Sequence, residues 1–261
     1  MKNHLKLITN IFLTSISLSV LLGSMLKIVG PIYQNNKTNR KINIVGKSRL
    51  PVRNKLSTIK LNSLLFDDNK LERLDRLEKL INKWESHIIK SPDLDVSCFF
   101  FSLDNKIYAE IKSETELPAA SSIKVPILIV LLTMLDRGEI LWDEKLTLTE
   151  ETIGSGAGWM AYQKIGEEFP VFEVATEMIR VSDNTATNLL IKRLGGITIV
   201  NKKFKEIGLR NTKINNFLPD LGGTNLTSTK DLSFAMAQVD SGYLLEVTSR
   251  DIFREIMQKS K

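Results

Sequence analysis

Ser121 and Lys124 lie three residues apart at the head of an almost wholly apolar stretch, PAASSIKVPILIVLLTML, at positions 118–135. Residues three apart on a helix share a face, so the hydroxyl and the amine can meet. A lysine in apolar surroundings loses proton affinity and can act as a base on a neighbouring hydroxyl. Helix N-terminal amides would help to hold the oxyanion formed when the serine attacks a carbonyl. The pair therefore predicts nucleophilic acyl chemistry, although an N-cap serine beside a solvated lysine is the simpler interpretation of this spacing alone.

Histidine and cysteine are scarce, which restricts the kinds of site the chain can build. The only histidines are His4 and His87, and Cys98 is the only cysteine. This composition excludes a Cys/His zinc cluster and an intramolecular disulfide, and we predict no metal. His4 precedes the hydrophobic segment and His87 falls in a charged amphipathic stretch, which argues against a Ser-His-Asp triad. Cys98 falls within a predicted strand and is interpreted as a core residue. Any base that activates a serine must then be a lysine.

The net charge of +6 belongs to the N-terminal quarter of the chain. Residues 1–66 contain eleven Lys and Arg but no Asp or Glu, which leaves 25 basic against 30 acidic residues in 67–261. The predicted folded domain is therefore mildly acidic. No interleaving of aromatic and basic residues and no recognition motif supports nucleic-acid binding, which we exclude.

The N-terminus has the pattern of a signal peptide or a signal anchor. Residues 8–26 carry no charge and follow Lys2 and Lys6, and no clear cleavage site comes after them. We favour an uncleaved membrane anchor in residues 1–30, followed by a basic linker in 31–66 and an extracytoplasmic (periplasmic) domain in 67–261. The basic residues after the apolar segment argue for the opposite orientation under the positive-inside rule.

Hydrophobic periodicity predicts an α+β domain, with helices flanking a β-hairpin. An amphipathic helix is predicted over 68–90, and a hairpin over 96–103 and 106–111. Thr248 and Asp251 resemble a capping box for the last helix. The remaining predicted helices cover 118–135, 172–181, 185–194, 197–206, 228–239 and 249–260.

The tripeptide Ser182-Asp183-Asn184 marks the start of the 185–194 helix, where all three residue types are also good helix caps. Combined with the Ser121 and Lys124 pair, and with the surrounding sequences PAASSIKVPIL and MIRVSDNTATNLLIKRLGG, it resembles two signatures of the penicillin-recognising serine hydrolases. These are the penicillin-binding proteins and class A β-lactamases. The resemblance covers residues 68–261 and implies a β-lactamase/transpeptidase-like α+β fold, with a helical subdomain and an antiparallel sheet. It implies β-lactams or peptidoglycan-like amides as substrates, and no cofactor.

The same resemblance assigns roles to individual residues. Ser121 would be the nucleophile, and Lys124 would take its proton or hold the network that does. Ser182 would relay a proton to the leaving nitrogen. Asn184 would contact the substrate and the lysine, and Asp183 would order the turn. Trp159, in GAGWMAY, would either line the cleft or serve in packing.

One departure from the family pattern concerns deacylation. Class A enzymes resemble one another in a Glu-Pro-x-Leu-Asn loop, whose glutamate activates the water that hydrolyses the acyl-enzyme. The nearest match here is Leu218-Pro219-Asp220-Leu221, so a leucine stands in the place of the glutamate and Asp220 comes two residues later. We therefore expect slow turnover of any acyl-enzyme.

A second departure concerns the third family signature, Lys-Thr-Gly. The nearest sequence, Lys37-Thr38-Asn39, lies in the linker, and by family spacing the motif would follow Lys261. We expect the C-terminal strands of the fold to be missing with it, so that the hairpin lacks partner strands. We also expect the apolar faces of the hairpin and of the Ser121 helix to lack part of their cover.

Three hypotheses follow. The first is a membrane-anchored serine hydrolase that forms an ester at Ser121. The second is a truncated, inactive remnant or a non-catalytic binding module. The third is a domain that a separately encoded C-terminal fragment completes.

Overall fold

The structure is a computed structural model that describes residues 72–73, 81–86, 96–104 and 107–260. These residues belong to one compact unit, Asn54–Lys261. The predicted anchor (1–30) and linker (31–66) lie outside the described residues. Within the described ranges, no helix combines the length and the apolar character that a bilayer crossing requires.

Helices are the main regular structure of the described residues. The helices predicted after residue 118 are confirmed to within a few residues, except that the Ser121 helix begins later than expected. The helix predicted over 68–90 is wrong at 72–73, which form a strand, whereas 81–86 are helical. In chain order the helices are α1 (81–86), α2 (Lys124–Asp136), α3 (Val171–Arg180), α4 (Asn184–Arg193), α5 (Gly196–Glu206), α6 (Thr229–Asp240) and α7 (Val247–Met257).

The predicted hairpin is confirmed, and it belongs to a three-stranded sheet. Strands β2 (Cys98–Ser102) and β3 (Ile107–Ile111) are antiparallel, with Cys98 opposite Ile111. Strand β1 (Glu72–Arg73) pairs in parallel with β3, giving the order β1-β3-β2. The hairpin thus has a partner strand, contrary to expectation, although Phe100 on β2 remains half exposed.

Four very short strands form two further ladders. Strand β4 (Leu117–Pro118) pairs antiparallel with β7 (Leu226–Thr227). Strand β5 (Lys145–Thr147) pairs antiparallel with β6 (Glu168–Pro170). Runs of two or three residues are too short to show an alternating pattern, which is why the sequence did not predict them.

Helix α2 lies at the centre of the core. Its residues 127–132 are fully inaccessible to solvent, which accounts for the lack of any polar face in this stretch. Helices α3, α4, α5, α6 and α7 all contact α2. The expectation that the apolar face of this helix would lack cover is therefore wrong, because helices close around it from several sides.

The end of α2 also fixes the start of α7. The Asp136 carboxylate accepts hydrogen bonds from the Glu246 amide, at 2.9 Å, and from the Ser249 hydroxyl. The predicted capping box of Thr248 and Asp251 is therefore wrong. The cap comes instead from a carboxylate distant in sequence, which local pattern cannot reveal.

Candidate active site

Ser121 lies on a 3-10 turn, Ala120–Ile123, immediately before α2. The predicted helix thus begins at Lys124, and Pro118 belongs to strand β4 instead. The Ala119 amide donates to the Asn225 carbonyl at 2.7 Å, which ties the turn to the segment beside β7. Ala120 has a φ of +44°, a left-handed conformation that is costly for a residue with a side chain. The nucleophile candidate therefore lies on a constrained turn at the start of α2, a helix of which most residues are buried.

Lys124 is the first residue of α2 and is only 2% exposed. Its Nζ lies 3.2 Å from Ser121 Oγ, 2.9 Å from both the carbonyl and the hydroxyl oxygen of Ser182, and 3.0 Å from Asn184 Oδ1. The Ser182 hydroxyl donates to Ser121 Oγ at 2.7 Å. The structure thus brings together four residues that the sequence had singled out in two separate motifs.

The hydrogen-bond partners around Lys124 can accommodate a neutral amine. The Ser182 carbonyl can only accept a hydrogen bond, and so can Asn184 Oδ1, because the Asn184 side-chain NH2 donates to the Ser155 carbonyl at 2.8 Å. A neutral amine has two N–H groups, which these two oxygens satisfy. Its lone pair is then left for a serine hydroxyl. The geometry can therefore accept the proton of Ser121.

Burial lowers the pKa of Lys124 from its usual 10.5 to about 8, while the Asp183 carboxylate acts in the opposite direction and raises it. The physical cause is that an ammonium loses its hydration in the apolar interior and only part of that loss is recovered from the nearby charge. At pH 7 about a tenth of the molecules then carry a neutral amine. A general base is therefore available near neutrality.

Asp183 is completely buried and holds the turn that carries Ser182. Its Oδ1 accepts from the Ala186 amide at 2.9 Å, which caps α4. Its Oδ2 accepts from the amides of Trp159 and Met160 at 2.7 and 2.9 Å. Ser182 itself has a φ of +57°. The Asp183 carboxylate therefore joins the turn to the 159–160 segment.

A cavity of about 370 Å³ adjoins Ser121. Lys124 and Ser182 line it as well, together with Arg180 and with apolar side chains that include Met257. No motif marked Arg180 or Met257, so the sequence analysis missed both. Within the described ranges, no group of three or more His, Cys, Asp or Glu side chains could hold a metal ion.

Trp159 is not among the residues that line this cavity. Its ring packs edge-on against Phe169, with the ring centroids 5.8 Å apart. Its indole N–H donates to Glu177 Oε2 at 2.6 Å. Of the two roles considered for Trp159, the structure shows the packing contacts, together with a polar contact that the sequence did not predict.

The loop that contains Leu218 is held by Asn188 on α4. The Leu218 amide donates to Asn188 Oδ1 at 2.8 Å, and Asn188 Nδ2 donates to the Leu218 carbonyl at 2.7 Å. Both oxygens of Asp220 accept hydrogen bonds inside the same loop, from Thr224 and from the Asn225 amide. Burial alone would raise the pKa of Asp220, but these hydrogen bonds outweigh it and hold the pKa below its usual value. Asp220 is thus an ionised carboxylate engaged in its own loop.

Comparison with known proteins adds a family and a solved fold. The profile of the Beta-lactamase enzyme family matches residues 76–261. The structure of PBP-A is 39% identical, covers 73% of this chain and 71% of that chain, and has a TM-score of 0.69. A second PBP-A structure, a mutant with leucine replaced by glutamate, is an acyl-enzyme complex with penicillin G. It is also 39% identical, with coverage of 72% and 70% and a TM-score of 0.69.

Curated relatives match over shorter stretches. A β-lactamase of Bacillus licheniformis is 39% identical over 69 residues, which are 26% of this chain and 22% of that protein. The D-alanyl-D-alanine carboxypeptidase DacF of Bacillus subtilis (strain 168) is 28% identical over 116 residues, 42% of this chain and 30% of that protein. The chain therefore spans less than a third of the length of each of these two relatives.

Proposed function

Because the chain belongs to the Beta-lactamase enzyme family, we propose that it forms a covalent acyl-enzyme at Ser121 with β-lactams or peptidoglycan-like amides. Its α+β fold is β-lactamase/transpeptidase-like, as the likeness to PBP-A shows. The observation that carries the proposal is the contact of the buried Lys124 Nζ with Ser121 Oγ, at 3.2 Å, beside the Ser182 hydroxyl, which lies 2.9 Å from the same nitrogen. A nucleophile, a base and a proton relay are thus in contact with one another.

The acylation step follows from these contacts. The neutral amine of Lys124 takes the hydroxyl proton of Ser121 while Oγ attacks the amide carbon, and the carbonyl electron pair moves to the oxygen. When the tetrahedral intermediate collapses, the carbon–nitrogen bond breaks and the nitrogen needs a proton. The Ser182 hydroxyl can supply it and recover one from the Lys124 ammonium, whose Nζ lies 2.9 Å away. Protons and electrons balance, and Lys124 returns to its neutral form.

We infer that deacylation is slow. The family resemblance places Leu218 where class A enzymes have the glutamate that activates water, and a leucine side chain cannot take a proton. Asn188 holds the Leu218 backbone through both its amide and its carbonyl. The nearby carboxylate of Asp220 accepts hydrogen bonds within its own loop. These observations favour a chain that retains its acyl group over one that hydrolyses a β-lactam rapidly.

The test is intact-mass spectrometry of the full chain, purified in mild detergent, after incubation with benzylpenicillin. The β-lactam nitrogen stays attached when the ring opens, so acylation adds the whole drug mass. Ser121→Ala removes the proposed nucleophile, and Ser122→Ala is the matched control. Ser122 lies on the same turn, but its hydroxyl donates to the Ala119 carbonyl.

We expect an adduct of one drug mass that persists for hours in the wild type and in Ser122→Ala and is absent from Ser121→Ala. A folded wild-type sample without adduct would overturn the proposal and leave the inactive remnant or binding module. Rapid loss of the adduct with accumulation of hydrolysed drug would refute slow deacylation alone.

A further inference from the structure

Glu177 is a buried acid on α3, only 7% exposed, and it lies one turn before the Ser182 turn. Its Oε2 accepts from the Trp159 indole and from Arg180 Nη2, both at 2.6 Å, and its Oε1 accepts from Arg180 Nε at 2.7 Å. Paired, parallel hydrogen bonds between a guanidinium and a carboxylate are short, directional and strong. The carboxylate therefore holds an aromatic side chain and a cation in fixed positions.

The main chain of Glu177 acts on the same turn. Its carbonyl accepts from the Val181 amide at 3.3 Å and from the Asp183 amide at 3.2 Å. The Asp183 carboxylate in turn accepts from the Trp159 amide. A closed circuit of contacts thus runs from the Glu177 side chain through Trp159 and Asp183 back to the Glu177 backbone.

Ser182 lies inside this circuit. Its φ of +57° is one that residues with side chains adopt at a conformational cost, so the surroundings must hold it there. In that conformation its hydroxyl oxygen is 2.7 Å from Ser121 Oγ and 2.9 Å from Lys124 Nζ. A relaxation of the turn would lengthen these distances.

We propose that Glu177, Arg180 and Trp159 form a positioning network that keeps the Ser182 hydroxyl within hydrogen-bonding distance of both Ser121 and Lys124, and so sets the rate of acylation. The inference rests on the proposed acyl-enzyme and adds three positioning residues to it. The carboxylate of Glu177 acts through the turn and not on the reacting atoms.

A second ion pair provides a matched control. Arg193 and Glu144 also pair through Nε and Nη2, and their side chains are 28% and 31% exposed, against 31% and 10% for Arg180 and Glu177. The Arg193 pair joins α4 to residue 144, just before β5. None of its hydrogen bonds involves the Ser182 turn. Removing the Glu144 charge therefore tests how much an ion pair of similar geometry elsewhere in the fold contributes to the acylation rate.

The experiment compares Glu177→Gln with Glu144→Gln in the full chain, using benzylpenicillin as the probe. The glutamine NH2 must face Arg180 Nε in one orientation, or both Arg180 Nη2 and the Trp159 indole in the other, so at least one contact is lost whichever way the amide turns. We expect the acylation rate constant of Glu177→Gln to fall about tenfold to a hundredfold, as for a misplacement of about 1 Å, with little change in drug affinity. Glu144→Gln should acylate as fast as the wild type.

The pH profile separates positioning from general loosening. If Glu177 only positions Ser182, the inflection of the acylation rate stays near the Lys124 pKa of about 8 while the plateau falls. A loosened core would rehydrate Lys124 and move the inflection upward. Trp159→Phe, which removes the indole donor together with part of the ring, should also slow acylation, but by a smaller factor than Glu177→Gln.

The proposal would be overturned if Glu177→Gln acylated at the wild-type rate, or if Glu144→Gln lost as much of its acylation rate as Glu177→Gln. Arg180→Lys and Trp159→Phe retain the carboxylate and supply the same comparison if Glu177→Gln does not fold. An adduct in the wild type and in Glu144→Gln shows that the acyl-enzyme exists, so a failure of the network is distinguishable from a failure of the function. No adduct in any variant would refute both.

Discussion

The buried lysine should make acylation steeply dependent on pH. Only the neutral amine of Lys124 can take the Ser121 proton, and its pKa is about 8. With that value about 1% of molecules are competent at pH 6 and about 90% at pH 9, so the rate should rise about ninetyfold and then level off. A lysine with the usual pKa of 10.5 would still give about a ninefold rise between pH 8.5 and 9.5, where Lys124 should give less than about 1.5-fold.

The lowered pKa of Lys124 also predicts how the stability of the fold depends on pH. The folded pKa lies below the unfolded value, so the unfolded chain binds the proton more tightly and stability rises with pH between about 8 and 10.5. Below about pH 8 the full cost of charging the buried lysine is present. The difference between the two pKa values corresponds to about 3 kcal/mol.

The assay is the rate of benzylpenicillin adduct formation from pH 6 to 9.5, measured by quenched intact-mass spectrometry. Lys124→Arg is the control, since a guanidinium stays charged across this range and should acylate at no pH. A rate that is independent of pH, or one that still rises tenfold per pH unit at 9.5, would refute a neutral Lys124 as the base.

Three further substitutions test the turn and the loop around the site. Asp183→Asn should shift the acylation inflection below the Lys124 value of about 8, because it removes the charge that raises this pKa, and should cost about 1–3 kcal/mol because its NH2 meets an amide donor. Gly158→Ala should destabilise the fold by about 2 kcal/mol or more, since its Cβ would lie 2.1 Å from the Asp183 carboxyl carbon and its φ is +98°. Asn188→Ala should cost about 2–4 kcal/mol, because it leaves both the amide and the carbonyl of Leu218 without that partner. Urea unfolding measures all three stabilities.

Gly166→Ala is the control for Gly158→Ala. Gly166 has a φ of +91°, and a Cβ at this position would have nothing within 4 Å, so Gly166→Ala reports the backbone cost alone, about 1–2 kcal/mol. Equal losses for Gly158→Ala and Gly166→Ala would contradict the predicted clash with Asp183. A loss below about 1 kcal/mol for Asn188→Ala would show that its two hydrogen bonds are replaced by water.

Much of the site could be predicted because it depends on short-range spacing. Ser121 and Lys124 meet because residues three apart share one side of a helical turn. Helix α2 follows from its continuous apolar run and the later helices from the periodicity of their apolar residues, and the Asp183 cap of α4 follows from the preference of aspartate for that position. The family resemblance then linked the two motifs before any contact between them was known.

Other features required the tertiary structure. The short ladders β4–β7 and β5–β6 have no sequence pattern, and the cap on α7 comes from Asp136 on another helix. The prediction that the apolar face of α2 would be partly uncovered was wrong, because the packing of the surrounding helices cannot be inferred from the sequence of any single segment. Arg180 and Trp159 both donate hydrogen bonds to Glu177, and the Trp159 contact joins residues 18 apart in the sequence.

The sequence by itself determined which groups could do chemistry, because residue type and helical spacing are local properties of the chain. The tertiary structure alone decided that Lys124 is buried and partly neutral, and that Ser182, 58 residues further on, lies within hydrogen-bonding distance of it. Proton affinity depends on solvation and on charges brought close by folding, and both are set by the packing of segments that are distant in sequence.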